Sequence, residues 1–317
     1  MASLKNIKLR IQSYKKTGTV THAMEAVSAV KMRKSQERAL NGRAYAAAAL
    51  SVLERLSHAV DLAQHSLMKP LPDDRGPISA ETPLKSCFIV VTSDKGLAGS
   101  LNSSVIRRVE YELSKLTLDK SAVVIIAIGR RGAEYFASRG YDVRERIDTL
   151  SDDVSESDIR RITEILIDWH RLEKIASCQI AYTNFISTFE QQAVIRSIVP
   201  ITPEAMREII SEIRPVRGKY APTLHEELIK APAAYTIEPD ADTVLSVLLP
   251  QLLNIAIFHA VLESKASEHS ARRVAMKNAT DKAKEMAHIY TRQFNKARQA
   301  AITREVSEIT SGMEAMK

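Results

Sequence analysis

Hydrophobic residues recur at helical spacing at both ends of the chain and in short unbroken runs in its middle. Leu4, Ile7, Ile11 and Tyr14 follow one another at steps of three, four and three, and Val20, Ala23, Val27 and Val30 take up the pattern after Gly18. This spacing marks a coiled-coil seam that tracks a partner helix. At 1.5 Å per residue, a helix of about sixty residues would make a rod of roughly 90 Å. Near the other end Met276, Ala279, Ala283, Met286 and Tyr290 form a second seam, and Ile302, Val306, Ile309 and Met313 continue the helical spacing. From Asp242 onward, about seventy helical residues would span roughly 100 Å. Alanines at seam positions let two helices approach closely. The economical arrangement is an antiparallel, left-handed pair with residues 20–30 against the C-terminal half of the last helix.

The middle of the chain has the other pattern. Residues 86–92 (SCFIVVT) and 123–128 (VVIIAI) are short apolar runs, and residues 178–186 and 192–199 resemble further strands. Helical patterns follow the first two runs and occupy residues 157–174. Strand–helix alternation of this kind predicts a partly parallel, doubly wound sheet. Helix breakers respect the same division. Residues 1–69 hold no proline, residues 251–311 hold neither proline nor glycine, and ten of the eleven prolines lie between Pro70 and Pro239. Pro250 is the exception and should kink the last helix near its start. The expected fold class is therefore α/β: a long antiparallel coiled coil of N- and C-terminal helices plus a central Rossmann-like domain. The expected domains are a rod helix over 1–69, an α/β foot over 70–240 and a second rod helix over 241–317.

Charge changes the picture by showing where partners would sit. The segment 1–69 carries a net +8, the segment 251–317 a net +4 and the middle a net −5. The basicity lies on the rod, which fits either a solvated coiled-coil surface or a rod facing acidic protein or nucleic acid. Aromatic residues make up only 5% of the chain, which suits slim, alanine-rich helices. Residues 244–262 carry no formal charge over nineteen positions, near the length of a membrane span. The presence of Ser246, Pro250, Gln251, Asn254 and His259 favours a buried helix of a soluble domain instead. Residues 1–20 hold five basic residues and no acid on an amphipathic pattern, as a mitochondrial presequence also would.

Candidate chemistry is sparse. Ser93-Asp94-Lys95-Gly96-Leu97-Ala98-Gly99 joins a strand to a helix, where dinucleotide enzymes hold pyrophosphate. Its glycines make only GxxG; neither GxGxxG nor a Walker GxxxxGK[ST] is present, so a tight structural turn is the better reading. Cys87 and Cys178, 91 positions apart, lack metal-type spacing and read as buried reduced thiols. His259 and Glu263 share a helix face but have no third ligand, so no metal site is expected. No nucleophile–base constellation or carboxylate pair stands out as catalytic.

Three blocks carry a resemblance to a known family. They are THAMEAVSAVKMRKSQERALNGRAYA (21–46), SDKGLAGSLN (93–102), and ASEHSARRVAMKNATDKA (266–283) with NKARQAAITREVSEITSGMEA (295–315). Together they resemble the gamma subunit of F-type (F1Fo) ATP synthase, and the likeness spans nearly the whole chain. It implies a non-catalytic rotary shaft without a cofactor. The coiled coil would stand inside a ring of three alternating catalytic and non-catalytic pairs (an alpha3-beta3 ring). The foot would rest on a membrane ring of proton-carrying c subunits beside an epsilon-type subunit. The resemblance implies that Arg298, Gln299 and Thr303 in ARQAAIT form a catch on the catalytic ring. Arg272, Met24, Lys31, Arg33 and Lys34 would touch the ring farther along, and Tyr235 and Glu238 in YTIEPD would meet the membrane ring.

The chain departs from the family pattern at Gly18, Thr19 and His22, where TQKITKAM commonly has Gln, Lys and Lys, and at Ala98, usually Cys. The stretch from Pro203 to Pro232 is longer than usual. Since the likeness begins at residue 2, the basic N-terminus is expected to belong to the shaft. That favours a bacterial protein at the cytoplasmic face of the plasma membrane. The alternatives are a basic coiled-coil nucleic-acid binder and a Rossmann-type enzyme with helical extensions.

Overall fold

The computed structural model describes residues 4–41, 43–59, 65–69, 84–116, 119–172, 174–212, 237–238 and 240–316. Its helices are α1 (Leu4–Asn41), α2 (Arg43–Ala59), α3 (Leu101–Lys115), α4 (Arg130–Ser138), α5 (Glu156–Arg171), α6 (Pro203–Glu212) and α7 (Ala241–Ala315). Its strands are β1 (Lys85–Val91), β2 (Val123–Ile128), β3 (Asp142–Ile147), β4 (Ile175–Phe185) and β5 (Gln191–Val199). The chain divides into two units, one of Met1–Ala29 with Arg272–Lys317 and one of Val30–Ala271.

The larger unit is built on a five-stranded sheet in the order β3-β2-β1-β4-β5. β1 pairs in parallel with β2 and β4, β2 in parallel with β3, and β5 closes the sheet antiparallel to β4. The central strands are apolar on both sides because both faces are covered. Alternate side chains enter different cores: Cys87, Ile89 and Val91 face one, Phe88 and Val90 the other. α3 and α4 fill the second core with Val105, Val109, Leu113 and Phe136. α2, α5, α6 and the first turns of α7 fill the first core. The split follows from handedness. β1, β2 and β3 step one way across the sheet, and β4 returns to the other side of β1. Right-handed crossovers therefore send α5 to the face opposite α3 and α4.

The charge-free stretch 244–262 is explained by this packing. Leu245, Leu249, Leu252, Leu253, Ile257, Val261 and Leu262 are buried in the first core. The thiols of Cys87 and Cys178 lie opposite each other on neighbouring strands, both buried and unbridged. Two features depart from the sequence reading. The expected sixty-residue first helix is two helices, of 38 and 17 residues, and the second buries Ala46, Ala49, Leu50, Leu53 and Leu56 in the domain core. β3 escaped notice because its sequence, DVRERI, is charged. It pairs only with β2, and charges at a sheet edge hinder pairing with other chains.

The smaller unit is an antiparallel helix pair. The rings of Tyr14 and Tyr290 stack at 5.4 Å, and Arg10 Nη1 donates to the Tyr290 hydroxyl at 2.9 Å. The hydroxyls of Thr21 and Thr280 share a hydrogen bond of 2.6 Å. Gly18 faces Ala283, where an added Cβ would make ordinary contact at 3.6 Å. Antiparallel pairing is as expected, but the seam is not. On α1 the buried positions are Ile7, Gly18, Thr21, Ser28, Met32, Ser35 and Ala39, whereas Val20, Val27 and Val30 are more than half exposed. The three-four repeat set by Ile7, Ile11 and Tyr14 thus runs on without a break through small and hydroxyl residues. Following hydrophobicity past Gly18 led onto the solvent side. On α7 the seam is Met276, Thr280, Ala283, Ala287 and Tyr290, so Ala279 and Met286 lie one position off it. Every described residue after Ala301 is exposed, including Ile302, Val306, Ile309 and Met313.

The corrected seam changes the expected effect of a mutation. Val27→Asp places a carboxylate in water and should alter stability by less than about 0.5 kcal/mol. Thr21→Asp buries a charge against Thr280 and should cost about 3 kcal/mol. Thermal unfolding of the two variants separates these outcomes. Equal midpoints would return Val27 to the seam.

Candidate partner-contact sites

The loop after β1 is a rigid turn. Ser93 N–H donates to Asn102 Oδ1 at 2.9 Å, Ser93 Oγ donates to the Lys95 carbonyl at 2.6 Å, and Asn102 Nδ2 donates to Ser93 Oγ at 2.8 Å. Asp94 Oδ1 accepts the Arg130 N–H at 3.0 Å and ties the loop to the start of α4. These polar groups are spent on the loop itself. In doubly wound folds a ligand occupies the crevice at the C-terminal ends of the strands. Here Thr92, Ser93, Asp94 and Gly129 line a small cavity together with Val261, Ser264, Lys265 and Glu268 of α7, so the chain's own helix covers that place. Lys265 Nζ donates to the Leu150 carbonyl at 3.0 Å. Glu263, the residue paired with His259 in the sequence, accepts the Phe185 N–H at 3.3 Å. Among the described residues no cluster of His, Cys, Asp and Glu could hold a metal ion.

Two lysines of the basic run of α1 have partners within the chain. Lys31 Nζ lies 2.5 Å from Asp152 Oδ2, Lys34 Nζ lies 3.8 Å from Asp153, and Arg38 pairs with Asp153 as well. Asp152 also meets the buried His269 ring at 3.0 Å. Lys31 and Lys34 are therefore turned to an acidic loop of their own domain, and Arg33 is exposed. This clasp was missed in the sequence. In the same segment Ser155 and Asp158 form a capping box on α5.

Burial pushes the Asp152 carboxyl up, but the Lys31 hydrogen bond and the charges of His269, Lys31 and Lys265 outweigh it and hold it below the ordinary carboxylate range. A depressed carboxylate stabilises the fold above its unfolded value of about 3.9, and the contribution is lost as pH falls through the folded value. Asp152→Asn should lower the thermal midpoint at neutral pH by about 2–4 °C, since an exposed ion pair contributes no more than about 1 kcal/mol. The gap to wild type should close in acid. A gap that is constant with pH would mean that the charge of Asp152 is not what holds the clasp.

The end of α7 presents Arg298, Gln299 and Thr303, all exposed. Thr303 Oγ1 donates to the Gln299 carbonyl at 3.0 Å, one turn back. The three occupy neighbouring stripes of one helix beside the exposed Ile302 and Val306. Arg272 is 8% exposed and Met24 is half-buried. Glu238 is exposed just before α7, and Tyr235 lies outside the described residues.

A family description for ATP synthase matches residues 3–316. The chain is 35% identical over 317 residues to the ATP synthase gamma chain of Pelotomaculum thermopropionicum, covering 100% of both. It is 35% identical to the ATP synthase gamma chain of Leuconostoc citreum over 318 residues, again covering 100% of each. The chain belongs to the ATP synthase gamma chain family. Its fold matches a chain in the Euglena gracilis mitochondrial ATP synthase with a TM-score of 0.62 at 17% identity, covering 99% of this chain and 94% of that one. A chain of the Tetrahymena thermophila mitochondrial ATP synthase central stalk and c-ring matches with a TM-score of 0.56 at 21% identity, covering 82% of this chain and 99% of that one.

As a gamma chain it is a non-catalytic subunit and the central rotary shaft of the synthase, associated with the membrane peripherally. Neither the nucleic-acid binder nor the Rossmann-type enzyme is supported.

Proposed function

We propose that this shaft couples the turning of a membrane c-ring to conformational change in an alpha3-beta3 catalytic ring, with an epsilon-type subunit beside the foot. The complex would lie at the cytoplasmic face of a bacterial plasma membrane, in keeping with the bacterial gamma chains it resembles. The observation that carries the coupling is the asymmetry of the helices. α1 and α7 pair from Arg10–Tyr290 to Thr21–Thr280, whereas α7 continues past Ala301 with every described residue exposed. A rod whose faces differ presents a different surface to each site around it. An orientation that contacts one site conformation better than another shifts that site's equilibrium by the difference in contact free energy. By reciprocity, a site driven through its conformations by ATP hydrolysis turns the rod the other way. Arg298, Gln299 and Thr303 supply polar, exchangeable contacts near the single-helix end, as a repeatedly broken interface requires.

Glu238 takes the membrane-ring end in this proposal. Glu238→Lys should cut ATP-driven proton pumping in reconstituted vesicles at least about tenfold, because a like charge across a docked polar contact costs more than about 1.4 kcal/mol. ATP hydrolysis by the soluble assembly should stay within about twofold of wild type. Equal loss of both activities would assign Glu238 elsewhere.

A further inference from the structure

The run Thr17-Gly18-Thr19-Val20-Thr21 lies inside the 38-residue helix α1 and gathers its poorest helix formers. Gly18 is the only glycine of α1 and gives up the most backbone freedom on becoming helical. The three threonines and the valine lose side-chain freedom against the preceding turn. By these propensities the five residues are more than about a hundredfold less favourable in a helix than five alanines. Leu, Ala, Met, Glu, Gln, Lys and Arg predominate in the rest of α1. The hydroxyls add to the effect. Thr19 Oγ1 donates to the Lys15 carbonyl at 3.1 Å, and Thr21 Oγ1 lies 3.0 Å from the Thr17 carbonyl and 3.2 Å from that of Gly18. Side-chain bonds of this kind compete with the helix ladder and bend helices.

Packing does not make up the loss. In the smaller unit this stretch meets α7 through Gly18, which faces Ala283, and through the Thr21–Thr280 hydroxyl pair. Thr17, Thr19 and Val20 are exposed. Larger side chains stand about one turn away on either side, Tyr14 on Tyr290 and the half-buried Met24. α7 is different. Residues 251–311 hold neither proline nor glycine, and near the run α7 reads DKAKEMA (281–287), with Lys282 and Glu285 paired at 2.8 Å. One helix of the pair is weak where the other is continuous. We infer that residues 17–21 are a joint in the rod, at which α1 opens locally by releasing a few backbone hydrogen bonds while α7 stays helical. The joint is a property of the helix pair, and its use rests on the shaft function proposed above. In a turning shaft it sets the level at which the rod yields, while α7 carries torque past it.

Amide hydrogen exchange of the full chain, read residue by residue, tests this. Amides 18–24, whose bonds cross the run, should exchange at least about tenfold faster than amides 11–16 and amides 26–34. Amides 278–286 of α7 should also be at least about tenfold slower than 18–24. Fraying would instead give rates that fall steadily from Leu4 inward, and that profile would overturn the inference. Equal rates in 18–24 and 278–286 would overturn it too, because the two helices would then open together. Gly18→Ala with Thr19→Ala should slow exchange at 18–24 at least about tenfold and change 26–34 less than about twofold. The added Cβ at residue 18 stands 3.6 Å from the Ala283 Cβ in ordinary contact, and Thr19 is exposed. Thr19→Ala alone, away from α7, should slow 18–24 about threefold and serves if the double variant disturbs the pair. Circular dichroism checks folding. Unchanged rates in both variants would overturn the joint. The shaft function is scored separately, by ATP-driven rotation of the assembled complex. Rotation without the expected exchange profile refutes the joint and leaves that function standing. The expected profile in a complex that does not rotate refutes the function and leaves the joint.

Discussion

Gly129→Ala should abolish the folded foot or leave it severely destabilised, by about 3–5 kcal/mol. Gly129 ends β2 with φ near 97°, a conformation that costs any residue with a Cβ. The added methyl would stand 2.1 Å from the Thr92 carbonyl oxygen and 2.7 Å from its carbon. Those are backbone atoms of the neighbouring central strand, whose own Thr92 N–H is bonded to the Ile128 carbonyl at 2.8 Å, so neither side can yield cheaply. The same approach lets Gly132 N–H reach Thr92 Oγ1 at 2.9 Å and seats α4 on the sheet. Gly140→Ala is the internal control. Its φ is near 80°, but an added Cβ meets nothing within 4 Å, so the expected cost is only about 1 kcal/mol. Urea midpoints of the two variants measure the difference. A Gly129→Ala protein as stable as Gly140→Ala would mean that the β2–α4 turn differs from the one described.

The second large effect is functional. A Gln299→Leu, Thr303→Val double variant should fold normally, since both side chains are exposed and surface changes rarely exceed about 0.5 kcal/mol. Reassembled with the catalytic ring, it should hydrolyse ATP at least about fivefold more slowly. Loss of about 1 kcal/mol from the coupling between rod angle and site conformation gives that factor. Assembly is checked by gel filtration, and the steady-state ATPase rate is the readout. Full turnover by a properly assembled complex would make these residues bystanders and move torque transmission elsewhere on the rod.

Much of the fold is written in hydrophobic spacing. The β-branched runs around Ile89 and Ile125 could be little else than central strands, and the charge-free 244–262 segment could be covered only by a core or a membrane. The seam past Gly18 was harder to read, because its buried positions include Thr21, Ser28 and Ser35 beside Met32 and Ala39, whereas the nearby valines are exposed. Two helices at close range select small volume over hydrophobicity, so a hydrophobic pattern drifts off the interface. β3 was hidden for a related reason: an edge strand buries little and can carry Arg144, Glu145 and Arg146. The candidate contact residues were named through family resemblance, and exposure alone cannot distinguish Arg298 from any solvated arginine. The Asp152–Asp153 clasp on Lys31, Lys34 and Arg38 joins residues more than a hundred positions apart, and no local pattern announces such a pairing.

The central claim is that this chain turns inside a stationary ring. Cys87 and Cys178 are buried, so a cysteine introduced at the exposed Ser103 on α3 gives a single accessible attachment point on the foot. A bead tethered there, on a complex whose catalytic ring is fixed to glass, reports rotation directly. On adding ATP the bead should turn continuously in one direction, in steps matching the number of catalytic sites. A ring that hydrolyses ATP at its full rate while the bead only diffuses back and forth would contradict the account.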